Sequence, residues 1–163
     1  MEYMDFTLRK YIEKNNSKIV KETRKLIANQ ILRGFKYVHS KKLLHRDISP
    51  ENVLIREYED TIVVKISDFG LVKTPDSKLT SIDTKPKGYF NDPILATEGF
   101  ENYQISHEIY ALTKLIYFVI SGRTNTTNIK EPNLRKFVSK GTSSNREERF
   151  QSVDEMINAV KNL

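Results

Sequence analysis

The segment between Ile109 and Ile120 restricts the possible folds more than any other part of this chain. It reads IYALTKLIYFVI and contains ten apolar residues among twelve, with Ser106 before it to cap a helix and Gly122 after it to end one. A helix that is apolar on every side has to be buried, and one of this length is too short to cross a bilayer. The sequence therefore predicts a central core helix over residues 106–121.

Hydrophobic periodicity predicts further helices on both sides of a β hairpin. Leu8, Tyr11 and Ile12 share one helical face, and a longer helix from about residue 17 to residue 40 would bury one apolar stripe. The members of that stripe are Val20, Ile27, Ile31, Leu32, Phe35 and Val38. Two β-branched runs, NVLI over residues 52–55 and TIVVKI over residues 61–66, predict the hairpin.

A last amphipathic helix is predicted over residues 152–163. It would bury Val153, Met156, Ile157 and Val160 on one face. A chain of 163 residues is long enough for one domain with a real core. We therefore expect a single domain that is mainly α-helical with a small β hairpin.

Composition narrows the possible partners and locations. The chain has 27 basic and 21 acidic residues, and its net charge of +6 is spread along the sequence, so we expect a solvated surface and no nucleic-acid partner. Cysteine does not occur, which excludes disulfides and thiolate metal sites. The N-terminus is too charged for a signal peptide, and no window is apolar enough for a membrane span. These features predict a soluble, cytoplasmic protein.

Two short motifs carry the chemistry, HRDISPEN over residues 45–52 and SDFG over residues 67–70. The Asp47 carboxylate could accept a proton from an attacking hydroxyl, and Asn52 and Asp68 offer the neutral and charged oxygen ligands that suit Mg²⁺. A single loop aspartate is more often a turn or cap residue. The joint arrangement nevertheless favours a metal and phosphate site, and with it phosphoryl transfer.

These motifs, in this order and with a hairpin between them, resemble the catalytic loop and the metal-binding motif of the eukaryotic-type protein kinases. Three further segments are similar to the same family: YVHSKKLLHRD to the end of its long lower-lobe helix, EIYALTKLIYFVISGR to its buried central helix, and REERFQSVDEM to its closing segment. The similarity covers nearly the whole chain. It implies the fold of the kinase C-terminal lobe, and transfer of phosphate from ATP, with Mg²⁺, to a Ser or Thr hydroxyl of a protein substrate.

The resemblance implies a role for each matching residue of the catalytic loop, residues 45–52. Asp47 would be the catalytic base, and Asn52 and Asp68 would hold Mg²⁺. Arg46 would pair with a phosphorylated residue of the activation segment, residues 68–93. The candidate phosphorylation sites in that segment are Thr80, Ser81 and Thr84. In addition, His45 and Phe69 would stack in the core beneath the site.

The resemblance also implies where the nucleotide binds. Residues 1–6 resemble the hinge between the two kinase lobes, so the backbone of Glu2 and Met4 would face adenine, above a floor formed by Val53, Leu54 and Ile55. The N-lobe, with its glycine-rich loop and its lysine–glutamate pair, would precede this hinge and is missing from the sequence. We therefore expect little turnover from this chain alone, and a missing or separately encoded N-lobe as a partner.

Three positions depart from the family pattern. Ser49, counted here among the catalytic residues, stands where serine/threonine kinases usually have a lysine, and a hydroxyl cannot supply that charge. Glu108 replaces an aspartate that ties down the catalytic loop. The segment KPKGYFNDPIL lacks the glutamate that should pair with Arg149, so Arg149 would need Asp92 or Glu98 instead.

Two functions from different classes follow from these motifs. The first is a protein kinase whose catalytic lobe is truncated here, and Pro86 together with the lost lysine leaves the choice between a Ser/Thr and a Tyr target open. The second is a stand-alone lobe that acts as a binding or regulatory module with idle kinase residues. The intact Asp47, Asn52 and Asp68 favour the first, because such residues have no obvious packing role. An aminoglycoside-phosphotransferase-like enzyme is a weaker third option, disfavoured by Arg46 and the DFG pattern.

Overall fold

A computed structural model of the protein describes residues 4–69 and 88–163. In chain order, its elements are β1 (Phe6–Thr7), α1 (Leu8–Asn15), α2 (Lys21–Ser40), β2 (Val53–Glu57), β3 (Ile62–Ile66), α3 (Leu95–Glu98), α4 (Ile105–Ser121), α5 (Pro132–Gly141) and α6 (Val153–Val160). Short 3₁₀ turns occupy Phe100–Asn102 and Arg146–Glu148. The prediction of a mainly α-helical fold with a small β hairpin is confirmed.

The core forms around α4, as the apolar run predicts. Almost every residue of α4 from His107 to Val119 is buried, and the helix packs against α2 and α5. Gly122 ends α4 in the left-handed conformation with φ 69°, which a glycine adopts at no steric cost. The predicted start at Ser106 is wrong, because α4 begins at Ile105 and Gln104 caps it through reciprocal hydrogen bonds with His107.

Helix α2 crosses the core and contacts α4, α6 and β3. Five of the six residues predicted for its buried stripe are buried, but Val20 is 57% exposed. The helix begins at Lys21, later than predicted, because the preceding residues turn back: the N–H groups of Lys18 and Ile19 both donate to the carbonyl of Asn15. Ile19 packs against the core in the place expected for Val20.

The sheet is antiparallel with strand order β1–β2–β3. The predicted hairpin of β2 and β3 is confirmed, with Ile55 opposite Val64. The short strand β1 adds Phe6 opposite Ile55 and was not predicted, since two residues give no measurable periodicity.

Helices α1, α5 and α6 complete the core. Leu8, Tyr11 and Ile12 are buried as predicted, and α6 buries Val153, Met156 and Val160. Helix α5 is a further element that the sequence analysis missed. Its signal was present in Pro132 at the first turn and in the spacing of the buried Leu134, Phe137 and Val138.

No helix within residues 4–69 and 88–163 combines the length and apolarity needed to cross a membrane.

Candidate active site

The loop over residues 45–52 is held in place by one buried carboxylate. Glu108, in the first turn of α4, accepts hydrogen bonds from the backbone N–H of His45 (3.1 Å) and of Arg46 (3.3 Å), and from His39 Nε2 (2.9 Å). Its side chain is fully buried, so these three donors replace the water that the charge has lost. Glu108 thus ties down the backbone of this loop.

The loop brings Asp47 and Asn52 together. Asn52 Nδ2 donates to the Asp47 carboxylate oxygen Oδ2 and to the Asp47 backbone carbonyl, each at 2.9 Å. The backbone N–H of Asn52 also donates to the carbonyl of Ser49 at 3.1 Å. Because the amide nitrogen of Asn52 is used twice, its oxygen Oδ1 is the atom that remains for a cation.

Asp68 is brought to the same place by its neighbour Ser67. The Asn52 carbonyl accepts from the Ser67 backbone N–H at 2.9 Å and from the Ser67 hydroxyl at 3.2 Å. His45 Nε2 donates to the Ser67 carbonyl at 2.8 Å, while His45 Nδ1 accepts from the Asp47 N–H at 3.3 Å. Asp68 itself is exposed and has a left-handed backbone with φ 59°. The loop over residues 45–52 and the end of β3 are therefore held together at Ser67, the residue before Asp68.

Ser49 is half-buried beside Glu51. Burial raises the pKa of the Glu51 carboxyl, but hydrogen bonds from Arg9, from the backbone and from Ser49, together with the charge of Arg9, lower that pKa below its usual value. Arg9, on α1, forms an ion pair with Glu51. Arg9, the cation of this cluster, is thus already paired with a carboxylate.

The predicted floor under adenine needs a correction. Val53 and Ile55 are fully buried on the inner face of β2, and only Leu54, on the opposite face, is half-buried. Successive side chains of a strand point to opposite faces, so these three residues cannot share one surface. Met4 is half-buried next to Asp5, whose N–H donates to the Ile55 carbonyl at 3.0 Å. Glu2 lies outside the described residues.

His45 and Phe69 stack, with ring centroids 5.0 Å apart, and His45 also contacts Phe35 at 5.7 Å. His45 is fully buried, as expected for a packing residue. Phe69, however, is 46% exposed, so the prediction that both rings lie in the core is wrong for Phe69. The Phe69 ring contacts His45 in a tilted arrangement with an interplanar angle of 56°, and much of the side chain is open to solvent.

Arg46 is buried against Phe100 and Tyr103. Its guanidinium carbon lies 4.3 Å from the centroid of the Phe100 ring, and Nη2 donates to the Phe100 carbonyl at 2.8 Å. Nε has no hydrogen-bond partner within the part of the chain that the structure describes. Burial lowers the pKa of Arg46. The proposed phosphate partners Thr80, Ser81 and Thr84 lie outside the described residues.

Arg149 pairs with Asp92. Arg149 Nη1 lies 2.6 Å from Asp92 Oδ2, and both side chains are 2% exposed. Of the two partners considered for Arg149, Asp92 is therefore confirmed, whereas Glu98 pairs with Arg146. The pair connects the end of the activation segment to the 3₁₀ turn that precedes α6.

Lys114 is a buried cation that the sequence analysis did not single out. Its ammonium lies 3.3 Å from the centroid of the Tyr89 ring and donates to the Tyr89 carbonyl. Burial lowers its pKa from the ordinary value to about 8. A lysine inside a largely apolar run was the available signal, because a buried ammonium needs specific contacts.

Among residues 4–69 and 88–163, no group of three or more His, Cys, Asp or Glu side chains is arranged to hold a metal ion. A site made of Asn52 and Asp68 would be of another kind, in which phosphate oxygens and water complete the coordination of Mg²⁺.

Comparisons with known proteins identify the family of the chain. The protein kinase domain family matches residues 1–163, and the chain belongs to that family. The probable serine/threonine-protein kinase C70.05c of Schizosaccharomyces pombe is 40% identical over 91 residues, which make up 53% of this chain and 11% of that protein. Human mitogen-activated protein kinase 4 is 36% identical over 131 residues, 75% of this chain and 21% of that protein. The chain therefore spans only a minor part of the length of these relatives.

A solved structure has the same fold. The crystal structure of the Rad53 kinase domain and SCD2 superposes with a TM-score of 0.74 at 20% sequence identity, covering 99% of this chain and 64% of that one. The expected resemblance of the fold to a kinase C-terminal lobe is thereby confirmed.

Proposed function

We propose that this chain carries the phosphoryl-transfer site of a serine/threonine protein kinase. Asp47 is the catalytic base that accepts the proton of the substrate hydroxyl, and Asn52 and Asp68 hold Mg²⁺. The observation that carries the proposal is the double hydrogen bond from Asn52 Nδ2 to Asp47. It fixes the carboxylate beside the candidate metal ligand, and it orients that ligand through its oxygen.

The residues present suit Mg²⁺ and ATP at the phosphate end. Oxygen ligands from an amide and a carboxylate are those that a hard cation takes, and Mg²⁺ would neutralise the charge of the transferred phosphate. Leu54, Met4 and the backbone of Glu2 are the proposed contacts to adenine. Ser49 brings no charge, and its hydroxyl would have to release Glu51 to donate a hydrogen bond to phosphate; Arg9 is engaged with Glu51 as well.

The second candidate function is a stand-alone lobe that binds a partner without catalysis. The neutral Ser49 and the large exposed part of Phe69 favour it, because one removes a catalytic charge and the other leaves apolar surface at the site. Under either function, a separately encoded or upstream N-lobe is the proposed partner. The mass of the native protein in its own cell decides whether that lobe belongs to the same chain.

The test of the first function is the Asp47→Asn variant, assayed for phosphoryl transfer from Mg-ATP in the full-length protein. Loss of a positioned base should lower the rate about 10²- to 10⁴-fold without changing the thermal stability. Asp60→Asn, on the exposed turn of the hairpin, is the matched control and should keep full activity. If neither protein transfers phosphate, the binding function is the better description, and equal transfer by wild type and Asp47→Asn would refute the role of Asp47 as the base.

We also propose that the Arg46 guanidinium binds the phosphate group of phosphorylated Thr80, Ser81 or Thr84. Within residues 4–69 and 88–163, Nε of the buried guanidinium has no acceptor, and a phosphate would supply one that also carries charge. Phosphorylated protein should then resist proteolysis in the segment 71–87, and Arg46→Gln should remove that protection. The same cleavage rate for phosphorylated and unmodified wild type would count against this role.

Finally, we propose a cytoplasmic location and a protein substrate. The location is supported by the cysteine-free sequence, and the protein substrate is supported by the family.

A further inference from the structure

A cavity of about 490 Å³ lies at the end of α4 that is farther from the catalytic loop. It opens to solvent and is lined by the start of α2, the last turn of α4, residues 128–131 and the first turn of α5. Its apolar wall consists of Tyr117, Ile120, Ile129, Leu134 and Leu163. This volume is in the range of small-molecule sites, roughly 300–1,000 Å³. The cavity shares no residue with the candidate active site.

The charge around this cavity is one-sided. Lys21, Arg24, Arg123 and Lys130 line it, and Glu131 is the one acidic side chain in its lining. None of the four cations forms an ion pair with another residue of the described ranges 4–69 and 88–163. Cations that converge on one concave surface repel one another and attract an anion.

Arg24 is the buried cation of this site, because only 8% of the residue is exposed. Nη1 donates to the Val119 carbonyl at 2.7 Å, Nη2 to the carbonyl and side-chain oxygens of Asn16 at 2.7 Å each, and Nε to the Ile19 carbonyl at 3.3 Å. All of these acceptors are uncharged, and burial lowers the pKa of Arg24. One of its five N–H bonds, on Nη1, is left without a described acceptor.

A purely structural role accounts for part of this arrangement. Arg24 satisfies a carbonyl in the last turn of α4 and fastens the turn between α1 and α2, which is reason enough to bury it. That role does not account for Lys21, Arg123 and Lys130, whose exposed side chains border the same apolar cavity. Four cations and an apolar wall together form a surface for a ligand with one charged end.

We propose that this cavity binds a small amphipathic anion, with its apolar body against Ile120, Ile129 and Leu134 and its anionic head toward Arg24 and the three exposed cations. The site is independent of the proposed kinase activity. It lies about 18 Å along α4 from Glu108, given the rise of an α-helix and the twelve residues from Glu108 to Ile120.

The test is a titration of the protein with octanoate, using octanamide as the neutral ligand of similar shape. Calorimetry should give an affinity for octanoate about tenfold higher than for octanamide, because the carboxylate makes charge-assisted hydrogen bonds. In NMR spectra, octanoate should shift the methyl signals of Ile120 and Ile129.

Variants separate the cavity from general charge attraction. The double variant Lys21→Gln/Arg123→Gln keeps Arg24, so the fold should persist, and its affinity for octanoate should fall about threefold, part of the tenfold difference from octanamide, because Arg24 and Lys130 remain. Arg33→Gln, an exposed cation of α2 outside the cavity, is the matched control and should bind like wild type. Equal affinities for the two ligands, an unaffected double variant, or no binding of octanoate would each overturn the proposal.

Discussion

Replacing Arg149 by methionine should strongly destabilise the fold, because it leaves Asp92 as a buried carboxylate without a counter-charge. The two side chains are each 2% exposed, and their charged atoms lie 2.6 Å apart. Breaking a buried ion pair by removing one partner costs about 3–5 kcal/mol. Arg149 also donates to the Ser143 carbonyl at 2.7 Å and to the Ser106 carbonyl at 2.9 Å, so the upper part of that range is expected. For a chain of this length, a loss of about 4–5 kcal/mol should lower the melting temperature by about 8–20 °C.

The assay is urea unfolding followed by circular dichroism, with two further variants. Lys36→Met removes an ion pair with Asp154 in which both side chains are more than half exposed, and it should cost at most about 1 kcal/mol. Adding Asp92→Asn to Arg149→Met should recover part of the loss, since no charge then remains buried. An Arg149→Met variant as stable as Lys36→Met would refute the reasoning, because the pair would then behave like an exposed one.

Two further perturbations test the buried groups around the site. Glu108→Gln replaces one of the two acceptor oxygens by an NH₂ group, so one of the backbone hydrogen bonds from His45 and Arg46 is lost. Hydrogen exchange at the His45 and Arg46 amides should therefore become about tenfold faster or more. Exchange that stays unchanged relative to the amides of α5 would contradict this. Burial lowers the pKa of Lys114 to about 8, so the unfolded chain binds more protons than the folded one between about pH 8 and 10.5, and stability should rise with pH in that window. The difference in unfolding free energy between wild type and Lys114→Met, measured at pH 7.5, 8.5 and 9.5, should therefore change in favour of wild type by about 2 kcal/mol, and a constant difference would contradict the assignment.

The sequence predicted those elements whose periodicity is strong. The apolar run of α4 allowed only a buried helix, and the β-branched runs on either side of a polar stretch allowed only a hairpin. In both cases local preference and tertiary packing agree, so a local pattern was sufficient. Helix α5 has a comparable pattern and was within reach of the same reasoning.

The errors occurred where a local pattern and a specific hydrogen bond compete. Val20 has the spacing of the buried stripe of α2, but the carbonyl of Asn15 accepts the N–H groups of Lys18 and Ile19, so the chain turns before the helix starts. Ser106 is a good capping residue by type, but Gln104 and His107 satisfy each other two residues earlier. Neither hydrogen bond is encoded in a periodicity, so neither could be predicted from one.

The candidate site was predictable as a set of residues but not as a geometry. Asp47 and Asn52 are close in sequence, so their contact follows from the loop itself. The bonds that place the loop connect distant segments: Glu108 reaches the amides of His45 and Arg46, and Ser67 reaches the carbonyl of Asn52. Most of these contacts involve backbone atoms, which carry no residue identity for a motif to display.

The correction on β2 changes what the proposed nucleotide site should prefer. With Val53 and Ile55 committed to the core, Leu54 is the single residue of this trio left to contact a base, whereas the phosphate end retains Asp47, Asn52 and Asp68. Apolar contact with a base scales with the area buried, while the contribution of the metal ligands depends on charge. In the proposed function, binding by this chain should therefore depend strongly on Mg²⁺ and only weakly on the identity of the base. Selectivity for adenine would then have to come from the hinge backbone, whose amide and carbonyl groups recognise a base by hydrogen bonds.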